Sequence, residues 1–256
     1  MAGIISGRIF SGLFLLISAI IVLAMIQYAK TRGARIHLRR LAALDAIDEA
    51  VARATETGRP VLQHGGSEPS GADTIANFSI MNYIARNCAR RGTEFIVAAR
   101  SISGLPVIRE IVSGAYEAEG KLEEYDENRI IRFGSPEQFA FASFFMDTVA
   151  TEKPAFTFMA GGLSGEALTL AETTVLHGSL LISGSSGQLA VMFAASDYFL
   201  ISEELFVAGA YLSGDPLQMG SLAGEDYLKM ILWVLGVIGV IMIIFGSKWL
   251  LDIMKL

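Results

Sequence analysis

The chain has little with which to build a cross-linked or metal-held structure. One cysteine in 256 residues, Cys88, excludes an intramolecular disulfide and a cysteine-rich metal site, and fits a reducing compartment. It falls in the helical pattern "FSIMNYIARNCARRG", where a buried structural thiol is expected rather than a nucleophile. The three histidines, His37, His64 and His177, include no pair at metal-ligand spacing, so no metal site is expected. Charge is scarce too. Charged residues make up 18% of the chain, and the net charge of -6 leaves no basic face for phosphate backbones, so nucleic acid is not expected as a partner.

What is present instead is apolar: 52% of the residues are hydrophobic, and the mean hydropathy is +0.49. Two uncharged runs carry much of it, Ile9 to Ala29 and Met230 to Ser247. Each is about the length that crosses a ~30 Å hydrocarbon core as a helix, with Trp233 and Trp249 near the ends of the second. The first has the alternative reading of a cleaved signal peptide, but its long apolar run, followed by "KTRGARIHLRR" rather than by a small-residue cleavage site, favours an anchor. Lys30, Arg32, Arg35, Arg39 and Arg40 cluster after it, where anionic lipid headgroups would lie.

By the positive-inside rule the main domain is expected in the cytosol, with both termini outside the cell membrane. The expected layout is an extracytoplasmic N-terminus (1–8), a span (9–29) and a basic segment (30–41). An α/β domain (42–226), a second span (228–249) and a tail (250–256) follow.

Between the runs, short apolar strand patterns alternate with helical ones. "LDAIDEAVARATETGRP" has helical spacing, with Asp45 as N-cap and Gly58 as the stop. The strands "VLQH", "EFIVAA", "RIIRF", "AFTFMA" and "LLIS" are separated by helices from about Thr74 to Arg91 and from about Leu105 to Ala118, by one starting at Ser135 and Pro136, and by "SGEALTLAETTVLHG". This βαβ alternation predicts an α/β fold: a mostly parallel, Rossmann-like sheet with helices on both faces, flanked by two transmembrane helices.

In such a sheet, ligands bind beyond the carboxyl ends of the strands, where glycine-rich turns lead into helices. "HGGSEPSGADT" matches the glycine spacing of a phosphate loop from Gly66 to Gly71, but Ala72 and Asp73 replace its lysine and hydroxyl, so a nucleoside-triphosphatase loop is not expected. "AGGLSG" has alanine, Ala160, at the first position of the dinucleotide pattern, with Gly162 and Gly165 at the others. Ser164 and Glu166 there read as capping residues. "SGSSGQ", Ser183 to Gln188, reads as a loop, and Asp197 as a helix cap with Glu203 and Glu204 in the first turn.

The ligand-binding candidates are therefore His64, Gly65, Gly66, Gly71 and Asp73 on one turn and Gly161, Gly162, Ser164 and Gly165 on the other. No cofactor is expected beyond a nucleotide at these turns. His64 beside Glu68 and Asp73 is the one acid/base grouping, and with no catalytic set in the sequence a non-enzymatic protein is expected.

"LDAIDEAVARATETGRPV", "GGLSGEALTLAE", "AASDYFLISEELFVAGAYLS" and "PLQMGSLAGEDYLKMILWVLGVIG" resemble an uncharacterised prokaryotic family known only as a domain of unknown function. Its members place these segments in the same order before a C-terminal membrane span. The resemblance runs from about Leu44 onward and implies a shared architecture, without an activity. Gly3, Gly7 and Ser11, with Gly236 and Gly239, are the kind of small-residue face on which membrane helices pack. The leading expectation is thus a lipid-embedded homo-oligomer, a ring or scaffold. A membrane-tethered sensor of a nucleotide or other small anion comes second. A transporter comes last, since neither run contains an ionisable residue.

Overall fold

The computed structural model describes residues 9–32, 41–187 and 189–245. Gly3, Gly7, Arg8, Arg35, Arg39, Arg40, Lys248 and Trp249 lie outside them, as do the two terminal segments. The chain divides into two compact units, one made of its two ends and one running from Leu38 to Ser213.

The first unit is built on α1 (Ile9–Arg32) and the long α10 (Pro216–Ile244), both long and apolar enough to cross a membrane. The sequence places the second span at 228–249, but the helix itself starts about twelve residues earlier, where Asp215 caps it by accepting from the Leu217 N–H and Pro216 opens it. Hydropathy marks where charges stop, whereas the cap marks where the helix begins.

The second unit is a six-stranded parallel sheet in the order β3-β2-β1-β4-β5-β6. The strands are β1 (Val61–His64), β2 (Phe95–Ala99), β3 (Ile131–Phe133), β4 (Phe156–Ala160), β5 (Leu180–Ser185) and β6 (Tyr198–Ile201). The helices between them are α2 (Ala42–Thr57), before β1, then α3 (Ala72–Arg91), α4 (Leu105–Ala118), the single turn α5 (Glu127–Ile130), α6 (Gln138–Glu152), α7 (Ala167–Leu176), α8 (Leu189–Ala195) and α9 (Glu203–Ser213).

Alternate strand residues enter opposite cores, as a pleated strand requires. Val61, Phe95, Val97, Phe156 and Phe158 pack with α2, α3, α4 and α9. Leu62, Ile96, Ala98 and Met159 pack with α6 and α7 on the other face. Both faces are covered, which is why the strands read as continuous apolar runs. Cys88 is buried in the first core, and burial pushes its thiol up, away from the reactive thiolate.

Several local expectations are corrected. The N-cap of α2 is Leu41, with Asp45 inside the first turn, while Gly58 closes the helix in the left-handed region as expected. Ser135 does not begin α6: its hydroxyl accepts from the Glu137 N–H, and the helix starts at Gln138. "SGSSGQ" is not all loop, because Ser183, Gly184 and Ser185 extend β5 in register with β6. Asp197 caps no helix. It precedes β6 and accepts from the Leu181 N–H, tying β6 to β5.

Candidate functional site

In this strand order the chain reverses direction across the sheet between β1 and β4, so the turns that follow those two strands flank the crevice where such sheets take ligands. The β1–α3 turn holds Gly65, Gly66 and Gly71, and the turn between β4 and α7 holds Gly161, Gly162, Ser164 and Gly165. The structure brings the two turns into direct contact: the Ser67 N–H donates to Gly161 O at 2.8 Å, and the Ser67 hydroxyl to Gly162 O at 2.8 Å.

The contact needs glycine at two positions. Gly66 has φ 84°, and a Cβ on it would meet Thr74 Cγ2 at 2.5 Å. Gly161 has φ 95°, and its Cβ would lie 2.9 Å from the Gly66 Cα. Gly162, Ser164 and Gly165 stay exposed on the rim.

Thr74 lies beneath both turns. It is 1% exposed, and its Oγ1 has no hydrogen-bond partner. Cβ atoms built on Gly66, Gly161 and Gly71 would lie 3.2, 3.3 and 3.6 Å from this oxygen, so it is aimed at all three. Thr74 belongs to the first turn of α3, whose N-cap is Gly71 and has no capping side chain. Asp73, an aspartate in that first turn, does not cap the helix. Its carboxylate accepts from the N–H and hydroxyl of Ser186 instead, joining α3 to the turn after β5.

His64 ends β1 and is fully buried, with its ring edge-on to Phe141 at 5.3 Å. Its Nδ1 is 2.8 Å from Ala160 O and 3.1 Å from the Gly66 N–H. One nitrogen cannot donate to the first and accept from the second at once, and the shorter contact favours a proton on Nδ1. Nε2 then faces the core without a partner. Burial holds the imidazole down at about 4, against the upward pull of Ala160 O and Glu166. Among the described residues neither Glu68 nor Asp73 hydrogen-bonds to it, so the expected acid/base grouping does not form.

The carboxylate electrostatically coupled to His64 is Glu166, which the sequence reading assigned to capping. It caps nothing. Its side chain is completely buried, 3.1 Å from Arg100 Nη1, and takes a short hydrogen bond from Gln138 Nε2. Arg100 also donates to Ser67 Oγ and to Pro136 O. One polar network thus joins the turns after β1, β2, β3 and β4. The signal that could have found it was an arginine directly after the apolar strand "EFIVAA".

The fold and this rim define an α/β protein of the doubly wound class, carrying two further helices long and apolar enough to cross a membrane. The family described as "Domain of unknown function (DUF6754)" matches residues 3–254, and the chain belongs to it. Neither the curated proteins nor the solved structures contain a match.

Proposed function

We propose that the protein is a membrane-anchored binding protein whose α/β domain takes a small ligand, through a phosphate or carboxylate group, at the crevice between β1 and β4. The observation that carries this reading is Thr74 Oγ1, buried and unpartnered below two glycine turns at the uncapped start of a twenty-residue helix. A buried hydroxyl without a partner costs about 1–3 kcal/mol, and a bound acceptor at the turns would remove that cost. The amides of Ala72, Asp73 and Thr74 have no intrahelical acceptor, and the helix dipole adds positive potential there. Arg100 supplies a cation at the same rim, while the competing Asp73 carboxylate is engaged by Ser186. Entry of the ligand requires the Ser67 bonds to Gly161 and Gly162 to open.

Anchoring is through α1 and α10. The cations that follow α1 support a cytosolic side for the domain, and antiparallel packing of the two helices accords with both termini on the opposite side.

The test is a thermal-shift panel on the full chain in detergent, with inorganic phosphate, mononucleotides, dinucleotides and small carboxylates. At least one should raise Tm in a concentration-dependent way, since a ligand at a hundred times its Kd adds about 2.7 kcal/mol. Gly162→Val, which strains an exposed residue at φ 76° and presses on Ser67, should fold and lose the response. Silence across the panel, or an unchanged response in the variant, rejects the reading.

A further inference from the structure

Two glycines set the register of the helical hairpin. A Cβ on Gly220 would lie 2.6 Å from the Ile26 Cα, and one on Gly224 2.9 Å from the Val22 Cα. The helices are therefore antiparallel, and an apolar groove lined by Phe10, Ile17 and Ile21 with Leu228 and Leu235 continues the same register. At this register Glu225 and Asp226 lie level with Ile21 and Ile20, and Lys229 with Ile17. These three charged residues straddle Ala19, the midpoint of the uncharged run of α1. Lys30, which ends that run, lies level with Pro216, and Glu225 is about 14 Å further along the axis at 1.5 Å per residue. That is about half of a ~30 Å hydrocarbon core. A hydrocarbon core centred on the uncharged run of α1 takes in Glu225, Asp226 and Lys229 of α10 together with the apolar residues that follow them.

These groups are not covered by the hairpin. The side chains of Glu225, Asp226 and Lys229 are 48%, 74% and 37% exposed, and α1 packs against Gly220 and Gly224 instead. Lys229 Nζ is 3.2 Å from Glu225 Oε1 but 3.9 Å from Asp226 Oδ1, which leaves Asp226 the weaker-held carboxylate. A charged side chain at the centre of a membrane helix costs about 2.5–3.5 kcal/mol, so hydrocarbon is a poor cover for this face.

We propose that a second copy of this chain covers it within the bilayer, with Asp226 of each protomer paired to Lys229 of the other. The face is self-complementary: an anion and a cation one turn apart on the same helix let a two-fold axis satisfy both pairs at once. Their ~4.5 Å offset along the axis is within reach of a lysine side chain. The ammonium has three donors, enough for Glu225 in its own helix and Asp226 across the interface. Met230, 56% exposed, flanks the pair and supplies apolar contact. This inference rests on membrane anchoring and is independent of any ligand at the sheet.

The test uses the full chain in lipid vesicles, labelled at Tyr227→Cys or Val237→Cys, with the buried Cys88 left in place. A lipid-borne quencher should reach both labels. Single-molecule subunit counting should find assemblies for the native chain and at least tenfold weaker association for Lys229→Met. Asp226→Lys alone and Lys229→Asp alone should each fail to self-associate, yet assemble when mixed, because the mixture restores both pairs. A label at residue 227 that only an aqueous quencher reaches, with residue 237 still in lipid, overturns the proposal while leaving anchoring intact. Both labels in water would overturn anchoring as well. Undiminished association of Lys229→Met, or no assembly of the mixed variants, also overturns the interface.

Discussion

At the scale of single residues, His64 shows how burial changes what a side chain can do. Its imidazole stays neutral in the folded chain down to about pH 4, because burial among Phe141 and Phe145 opposes the charge. The unfolded chain binds that proton near pH 6.5. Stability is therefore fully present above about 6.5 and declines as pH falls toward 4, by roughly 3 kcal/mol through linkage. Glu119 acts in a lower window: the hydrogen bonds of Arg90 and Arg86 hold its carboxyl at about 2, so its contribution is present above about 4.5 and lost as pH falls through 2. Denaturant titrations of the full chain between pH 7 and 4.5 should show the first decline and a flatter profile in His64→Phe. An identical slope in both would rule out His64 as its source. The sequence singled out His64 by position, but its partners were not legible, because Ala160 and Glu166 are about a hundred residues away along the chain.

At the scale of elements, the Arg100–Glu166 pair clamps the end of β2 to the start of α7 and, through Gln138, to α6. Removing one member of a buried pair leaves the other charge uncompensated, which typically costs 3–5 kcal/mol. Arg100→Met should accordingly lose about 3 kcal/mol in urea unfolding, and Arg100→Met with Glu166→Leu should recover most of it. Additive losses in the double variant would show that the two act separately. The elements themselves were largely readable. Strand β1 and helix α4 fall where the apolar runs and turn residues place them. The misplaced ends share one cause: Asp45, Ser135, Asp73 and Asp197 look like caps in isolation, yet distant backbone and side-chain groups compete for them or the helix begins elsewhere.

At the scale of the whole molecule, the two ends of the chain close into one helical unit while the sheet domain forms from the segment between them. Gly220 and Gly224 allow the backbones of α1 and α10 to touch, as small residues do between helices in lipid. Gly220→Leu should separate them, and spin labels at Leu16 and Leu232 should report a longer and broader distance distribution than in the native chain. An unchanged distribution would remove the glycines from that role. The small residues picked out in sequence were others: Gly236 has open space around it, and Gly3 and Gly7 lie outside the described residues.

Periodicity, punctuation and apolar length depend on neighbours in sequence, and they sufficed to indicate an α/β fold with parallel strands and two membrane-length helices. Which strand lies beside which, that Thr74 is trapped beneath Gly66 and Gly161, that Glu166 belongs to Arg100, and that the charges of α10 stand level with the middle of α1 were decided only by tertiary structure. Each of these is a contact between segments far apart in sequence. Its energy depends on distance and burial in three dimensions, which a linear pattern does not encode.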